Sequence, residues 1–204
     1  HWTVRNNLIR HAGTIGMDVG SDGGDNERDP ESFPGAAKGV GNVIEENYLI
    51  GNGAAGIVGA RTIGVTIRGN VITGNNTLGF TGLKRYEHAG IKAHDIREGL
   101  IEGNYVADNG HSAGIWLDNR FEGTRVTRNV VVDNGGRGIF LEMSDYGFDA
   151  VLIDHNLVLG NRLIQFYAHD ASGSSVVHNL FANTPEDSKY NQGAFIHQVS
   201  ARTS

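Results

Sequence analysis

One short pattern occurs twice in the chain, 24 residues apart, and each copy ends in a carboxylate. The segments Gly114–Asp118 (GIWLD) and Gly138–Glu142 (GIFLE) both read Gly, Ile, aromatic, Leu, acid. If they are equivalent strands on neighbouring turns of a coil, their carboxylates are stacked one strand spacing apart, roughly 4.7–4.9 Å. Carboxyl groups about 5–5.5 Å apart suit retaining hydrolysis of a glycosidic bond, whereas inverting hydrolysis needs roughly 6.5–9.5 Å. We therefore predict that Asp118 and Glu142 form a catalytic pair.

The strand register built on these Gly–apolar starts predicts which side chains share the outward face with the pair, because side chains alternate between faces along a strand. Two carboxylates this close raise the pKa of one of them, which leaves one acid and one base at neutral pH. A sugar would lie against aromatic side chains there, with carboxylates and amides binding its hydroxyl groups. The alternative is a solvated or metal-bridged acidic stack; we expect no metal and no cofactor. The predicted substrate-binding residues are Asp18, Lys92, His94, Trp116, Phe140, Gln165 and Tyr167.

A second motif recurs along the whole chain and indicates how these strands are held. It consists of an apolar residue, two polar or small residues, Asn, any residue and another apolar residue. Its intervals are 40, 23, 34, 25, 27 and 23 residues, so the base period is 23–25 with insertions. Periods of roughly 20–50 residues are typical of solenoids and propellers. The Asn positions are Asn7, Asn47, Asn70, Asn104, Asn129, Asn156 and Asn179.

Short strands, one repeat per turn and Asn at a fixed turn position predict an all-β fold, a right-handed single-stranded parallel β-helix of about seven coils over residues 1–204. Each Asn can bend the chain through a left-handed conformation while its amide bonds to its neighbours above and below. A propeller is the alternative, but its blades need about 40 residues and four strands each. Residues 22–39 and 78–88 are predicted loop insertions. One inward column should contain Met17, Ile57, Ile91, Ile115, Ile139 and Ile164.

Length, charge and composition narrow the classes of function. The 204 residues fit one domain, and the net charge of −6 argues against a nucleic acid or an anionic membrane as partner. The chain has no Cys, which excludes disulfides and thiolate metal sites. It begins at His1 without a visible signal peptide, and residues 2–9 already resemble a repeat, so we expect a piece of a longer protein. A secreted or periplasmic location is favoured.

Several segments together resemble the β-helical glycoside hydrolases, in particular the β-xylosidases of glycoside hydrolase family 120. They are Tyr86–Lys92 (YEHAGIK), Gly114–Asp118, Gly123–Val126 and Gly138–Glu142, with weaker likeness at 6–9 and 16–20. The resemblance implies that Asp118 is the nucleophile and Glu142 the acid/base. It also implies that Glu87 and His88 contact the sugar in the subsite before the cleaved bond. The implied substrate is a short β-1,4-xylo-oligosaccharide.

Two other functions fit the same scaffold. A polysaccharide lyase would use Lys92 or an Arg as its base and acidic residues to hold Ca²⁺, but the sequence shows no basic cluster to neutralise a uronate. A non-catalytic adhesin or tailspike-like module would need no carboxylate pair. The leading interpretation is a retaining, exo-acting glycosidase whose partner is an oligosaccharide or a plant polysaccharide fragment. Homo-oligomerisation stays open.

Overall fold

The chain winds through three parallel sheets of seven strands each. The computed structural model describes residues 1–20, 41–78, 88–144, 150–189 and 194–199. Strands are numbered in chain order. The first sheet contains β1 (Thr3–Arg5), β4 (Val43–Glu45), β7 (Thr66–Arg68), β10 (Leu100–Glu102), β13 (Arg125–Thr127), β16 (Val151–Asp154) and β19 (Ser174–Val177). The second contains β2 (Leu8–Arg10), β5 (Tyr48–Ile50), β8 (Val71–Thr73), β11 (Tyr105–Ala107), β14 (Val130–Val132), β17 (Leu157–Leu159) and β20 (Leu180–Ala182). The third contains β3 (Ile15–Asp18), β6 (Ala55–Ile63), β9 (Ala89–Arg97), β12 (Ala113–Asp118), β15 (Arg137–Ser144), β18 (Ile164–Ala171) and β21 (Phe195–Gln198).

Consecutive strands belong to different sheets, and every strand pairs in parallel with its equivalent one coil away, as β1 does with β4. This is a right-handed parallel β-helix of seven coils, which confirms the predicted fold. The strands of the first two sheets have three or four residues, whereas those of the third reach nine. Longer strands give the third sheet the broadest outward face. No helix in the described ranges is long and apolar enough to cross a membrane.

The core is a stack of aliphatic side chains inside the coil. Ile57, Ile91, Ile115 and Ile139 are register neighbours on successive coils and are fully buried, as predicted. The predicted position of Ile164 in this column is wrong. Phe166 pairs with Ile139 instead, while Ile164 pairs with Arg137 and joins a separate apolar cluster.

A ladder of Asn side chains holds the coils together at the corner between the first and second sheets. Each ladder Asn donates from its Nδ2 to the Oδ1 of the Asn on the next coil, at 2.9–3.1 Å, from Asn7 through to Asn179. The predicted ladder is therefore confirmed. The left-handed residue, however, is the one before the ladder Asn, such as Glu46 (φ 55°) and Arg128 (φ 56°). The residue before each ladder Asn therefore makes the bend, and the Asn itself makes the amide hydrogen bonds.

A second ladder, which sequence analysis missed, lies five residues further on each coil. It joins Asn52 through Asn161 by Nδ2–Oδ1 bonds of 2.8–2.9 Å. The constant offset of five residues between two Asn positions was the signal that could have shown it. At its end, Asn161 Nδ2 donates to Gln165 Oε1 at 2.8 Å. Two amide ladders therefore fix the height of every coil relative to the next.

The outer face of the first sheet carries ion pairs between coils. Arg125 donates to both oxygens of Asp154, at 2.8 Å from Nε and 2.7 Å from Nη2. Asp154 is buried, and the Arg125 guanidinium holds the pKa of its carboxyl well below the usual range, with a smaller contribution from His155. Ion pairing here connects β13 to β16.

We predict that Asn129→Ala lowers the free energy of unfolding by about 2–5 kcal/mol, because buried donors on Asn104 and the carbonyl of Ile101 lose their partner. Urea denaturation measures the loss. The matched control is Asn179→Ala at the end of the same ladder, where solvent can replace the lost amide; it should cost clearly less. Equal losses at both positions would contradict the buried-ladder argument.

We also predict that Arg125 makes stability depend on pH in the acid range. A carboxyl with a lowered pKa in the folded state stabilises the protein above its unfolded pKa of about 3.9, and this stabilisation is lost as pH falls towards the folded pKa. In Arg125→Met the fall in the urea midpoint between about pH 5 and pH 2 should be shallower than in the parent. Arg162→Met, which removes a pair with the exposed Asp187, is the control and should leave the profile unchanged. Identical profiles for Arg125→Met and the parent would contradict the assignment.

Candidate active site

Four titratable residues stand in one row across adjacent coils of the third sheet, and the row ends at Gln198 on β21. Asp118 on β12 is the register partner of Glu142 on β15, and the row continues to His94 on β9 and to His169 on β18. Adjacent strand backbones lie about 4.7–4.9 Å apart, so the two carboxyl-bearing positions are separated by one such step. The structure thus places the two predicted catalytic residues side by side, each with a histidine on its other side.

A left-handed residue follows each member of this row. Asp95, Asn119, Met143 and Asp170 have φ values of 47°, 49°, 58° and 50°. Asn and Asp visit this region more readily than other non-glycine residues, whereas Met does so at a cost of roughly 1–2 kcal/mol. The turn interrupts strand alternation at the same place on these four coils and, at Arg61 (φ 54°), on the coil before them. It therefore keeps the His and carboxylate side chains at the same register position on successive strands.

Asp118 is held through one of its two carboxylate oxygens. Lys92 Nζ lies 2.6 Å from Oδ2, and His94 Nε2 lies 3.3 Å from the same atom. The other oxygen, Oδ1, is buried and has no hydrogen-bond partner among the described residues. The carboxylate is therefore fixed in orientation by contacts to Oδ2, while Oδ1 has no partner among the described residues.

Lys92 is fully buried, which is rare for a lysine. Its ammonium group lies 3.2 Å from the centroid of the Trp116 ring as well as against Asp118. The carboxylate and the electron-rich ring face together compensate the lost hydration of the cation. Lys92 is on the predicted face of β9, in register with Trp116, but it is buried against Asp118 and does not line an open groove as a predicted substrate-binding residue would.

Glu142 lies at the more open side of the pair. Its side chain is 15% exposed, against 8% for that of Asp118. His169 Nδ1 is 3.7 Å from Glu142 Oε1, and His169 Nε2 is 3.6 Å from Asp170 Oδ2. A carboxyl group that is partly exposed to solvent can exchange protons with water.

The aromatic side chains form a second row beside the polar one. Trp116, Phe140 and Tyr167 are register partners, with ring centroids 4.9 and 5.4 Å apart. Their predicted exposure in a shallow groove is wrong, because all three are buried in an apolar cluster. Part of the reason is Arg137, whose guanidinium carbon lies 4.3 Å from the Phe140 ring centroid and 4.7 Å from that of Tyr167. Leu117 faces the core, so the predicted register of β12 is right.

The predicted outward position of Gln165 is also wrong. Gln165 occupies the place that Gly90, Gly114 and Gly138 hold on the earlier coils, where an added Cβ would collide with inward side chains. Its side chain turns inward and bonds to Asn161, continuing the second ladder. The register of β18 is shifted by two residues from the predicted one, because Phe166 and not Ile164 pairs with Ile139. Tyr167 therefore lies in the aromatic row, and His169, which sequence analysis missed, takes the position beside Glu142.

The remaining predicted residues are not in the row of four. His88 is buried just before the start of β9, with its Nδ1 3.2 Å from Asn76 Nδ2. Asp18 is exposed on the first coil, three coils from Asp118, or about 14 Å at one strand spacing each. Its Oδ1 accepts a hydrogen bond from the Gly20 backbone at 3.0 Å. Glu87 and the predicted loop at 22–39 lie outside the described residues, as do residues 79–87 of the second predicted loop.

A group of arginines near the site was not expected from the sequence. The group surrounds the carboxyl of Asp95, which is buried and follows His94 on β9. Burial raises the pKa of Asp95, and the nearby positive charges oppose that shift. Acidic residues offset the group in part, since Arg97 Nε lies 3.6 Å from Glu122 Oε2. The arginines are Arg61, Arg97 and Arg120.

No group of three or more His, Cys, Asp or Glu side chains suited to a metal ion occurs within the described ranges. Among the described residues, Lys92 and His94 contact Asp118, and His169 lies near Glu142. What the arrangement offers chemically is a fixed carboxylate beside a more exposed carboxyl group that can exchange a proton.

The fold and the row of four define a parallel β-helix protein with paired carboxylates on the third sheet. Residues 1–198 match the family described as right handed beta helix region, and the chain belongs to that family. It is similar to a solved structure described as the complex structure of XylC with xylose, with a TM-score of 0.71 and 24% identity. The match covers 89% of this chain and 30% of the other, so the chain spans less than a third of XylC. At this identity the likeness shows the fold. No curated protein matches the sequence.

We predict that Lys92→Met destabilises the protein by about 3–5 kcal/mol, because it leaves the buried Asp118 carboxylate without its cation. Met keeps the length of the aliphatic stem against Trp116. The double variant Lys92→Met/Asp118→Asn should regain most of the loss, since it removes the uncompensated charge. Urea denaturation of Lys92→Met, Asp118→Asn and the double variant gives the coupling free energy between the two side chains. Additive effects would contradict a direct ion pair.

Proposed function

We propose that the chain carries the active site of a retaining glycoside hydrolase that acts on short oligosaccharides. The observation that carries the proposal is the register pairing of Asp118 with Glu142 on adjacent coils. One strand spacing matches the separation of about 5–5.5 Å used for retention and leaves no room for the water that inversion needs. The reaction therefore proceeds through a covalent glycosyl-enzyme.

Asp118 is the nucleophile in this proposal, and Oδ1 is the attacking atom. Oδ2 is occupied by Lys92 and His94, whereas Oδ1 has no partner among the described residues. In the first step Oδ1 forms a bond to the anomeric carbon as the bond from that carbon to the leaving oxygen breaks. Lys92 stabilises the carboxylate charge before attack and holds the group in place.

Glu142 is the acid/base. It gives its proton to the leaving oxygen in the first step. In the second step it takes a proton from water, which attacks the anomeric carbon and releases Asp118. Its greater exposure and its neighbour His169 support this assignment of roles over the reverse.

The substrate is a small sugar unit at the end of a short chain, as for a β-xylosidase. Trp116, Phe140 and Tyr167 are buried and do not offer an open platform on which a polymer could stack. The partly exposed side chains at the edge are those of His94, Glu142 and His169. Similarity of the fold to a structure solved with xylose supports a sugar of that size. Glu87 and His88 are proposed contacts to this sugar on the resemblance alone.

A polysaccharide lyase is less well supported. Lys92, the lysine that could serve as its base, is fully buried and bonded to Asp118, so it is not placed to take a proton from a sugar. The arginines near Asp95 are offset by that residue and by Glu122. A non-catalytic binding module would not require the orphaned, oriented oxygen of Asp118.

We predict that Asp118→Ala lowers kcat on nitrophenyl β-xyloside by about 10⁴-fold or more, because the nucleophile is lost. Azide should not restore a product of retained configuration. Glu142→Ala should spare the first step for substrates with good leaving groups, and azide should then give the retained β-azide. The matched control is Glu102→Gln, a carboxylate on the first sheet paired with Arg128, which should keep full activity.

Proton NMR of the first product decides the stereochemistry. Initial release of the same anomer as the substrate supports the proposal, and initial release of the inverted anomer overturns it. A panel of nitrophenyl glycosides establishes which sugar is accepted. Release of an unsaturated product from a uronate polymer would instead establish the lyase.

A further inference from the structure

We propose that Asn119 is a positioning residue that fixes the tautomer of His94, so that His94 donates a hydrogen bond to Asp118 Oδ2 and leaves Oδ1 to attack. The inference rests on the proposed function for its catalytic meaning. Its structural part concerns three side chains on two neighbouring coils and stands on their geometry.

The position of Asn119 is set by both neighbouring coils. Its backbone N–H donates to the carbonyl of Glu142 at 2.9 Å, and its carbonyl accepts from the N–H of Asp95 at 3.1 Å. Its left-handed φ of 49° turns the chain where β12 ends. From there its Nδ2 lies 3.2 Å from His94 Nδ1. The side-chain amide is thus delivered to the imidazole by a turn that the adjacent coils hold in place.

An amide nitrogen only donates hydrogen bonds, so His94 Nδ1 must accept. An accepting Nδ1 carries no proton, and the proton of the neutral ring is then on Nε2. Nε2 faces Asp118 Oδ2 at 3.3 Å, where a donor is needed. The opposite tautomer would point a lone pair at the carboxylate. The hydrogen bond from Asn119 and the hydrogen bond to Asp118 therefore both select the tautomer of His94 that carries its proton on Nε2.

The charges around His94 show why a neutral donor matters. Lys92 already supplies one positive charge to Asp118 at 2.6 Å, so a neutral His94 leaves this group of three without net charge. Asp95 follows His94 on its own strand, and the positive charges that act on its carboxyl are those of Arg120, of His94 when its ring is protonated, and of Arg61 and Arg97. A second cation against Oδ2 would draw the nucleophile towards its supporting side chains. Asn119 opposes this because protonated Nδ1 would face another donor.

The first test is imidazole NMR of the ¹⁵N-histidine-labelled protein, which needs no activity. In the parent at pH 7, His94 should be neutral with its proton on Nε2. Asn119→Asp keeps a residue that tolerates the left-handed turn but replaces the donor with a carboxylate. It should make Nδ1 a donor and move the titration of His94 to higher pH by about one unit or more. His155, which lies between β16 and β17 beside Asp154, is the internal control, and its signals should not differ between the parent and Asn119→Asp.

The second test is kinetic. Asn119→Asp and Asn119→Gly should lower kcat on nitrophenyl β-xyloside by about 10–100-fold with little change in KM, because a misplaced nucleophile affects the chemical step. His94→Gln, whose amide can still donate to Oδ2, should retain more activity than His94→Ala. Thermal unfolding of Asn119→Gly, which also tolerates the left-handed turn, establishes that the fold is kept.

The outcomes separate the two proposals. A proton on Nδ1 of His94 in the parent, or an unchanged titration in Asn119→Asp, overturns the positioning role whatever the enzyme does. The expected NMR result together with retained products supports both proposals. The expected NMR result in a chain that hydrolyses no glycoside overturns the proposed function and, with it, the catalytic role of Asn119.

Discussion

The stacking of coils by side-chain amides is the constraint on which the rest of this structure depends. A ladder amide donates to the coil beyond it and accepts from the coil before it, so a shift of one coil by a single residue would leave buried donors and acceptors unpaired. Two such ladders, five residues apart, leave little freedom in register. Because a one-residue slip exchanges the two faces of a strand, register in turn decides which side chains face outward. The pairing of Asp118 with Glu142 is a consequence of bonds made by asparagines at the corners of the coil.

The polar row depends on a second feature, the repeated left-handed turn after it. Three-residue strands, as in the second sheet, present one inward and two outward positions and then end. In the third sheet β9, β15 and β18 continue past the row while β12 ends in it, and the turns at Asp95, Asn119 and Asp170 bend each coil at the same height. Short polar residues suit these turns and also carry groups that reach back to the row, as Asn119 does to His94. Backbone geometry and the orientation of side chains are therefore supplied by the same residues.

Much of this could be predicted from the sequence, and the parts that could not have identifiable causes. The period of 23–25 residues and the alternation of Ile115 and Leu117 with Trp116 and Asp118 predicted the fold, the inward column and the carboxylate pair. The register of β18 was wrong because Gln165 stands where the earlier coils have Gly, and pattern matching aligned Leu163 with those glycines. That shift placed Tyr167 beside Glu142 and left His169 unnoticed. Burial of the aromatic row was equally beyond the sequence, since the Arg137 guanidinium that packs on Phe140 and Tyr167 belongs to a residue that no motif singled out.

Burial of the ion pair between Lys92 and Asp118 carries a desolvation cost, which is consistent with a functional role for the pair. A fully buried lysine bonded to a buried carboxylate is weak evidence for stability, since apolar residues of similar volume often do as well or better. Here the pair lies beside the stacked Asp118 and Glu142, and among the described residues only one of the two oxygens of Asp118 has a partner. A purely structural ion pair would gain by satisfying both oxygens, as Asp154 does with Arg125 on the first sheet. The contrast between these two aspartates, one paired through both oxygens and one through a single oxygen, supports the proposed role of Asp118 as the nucleophile.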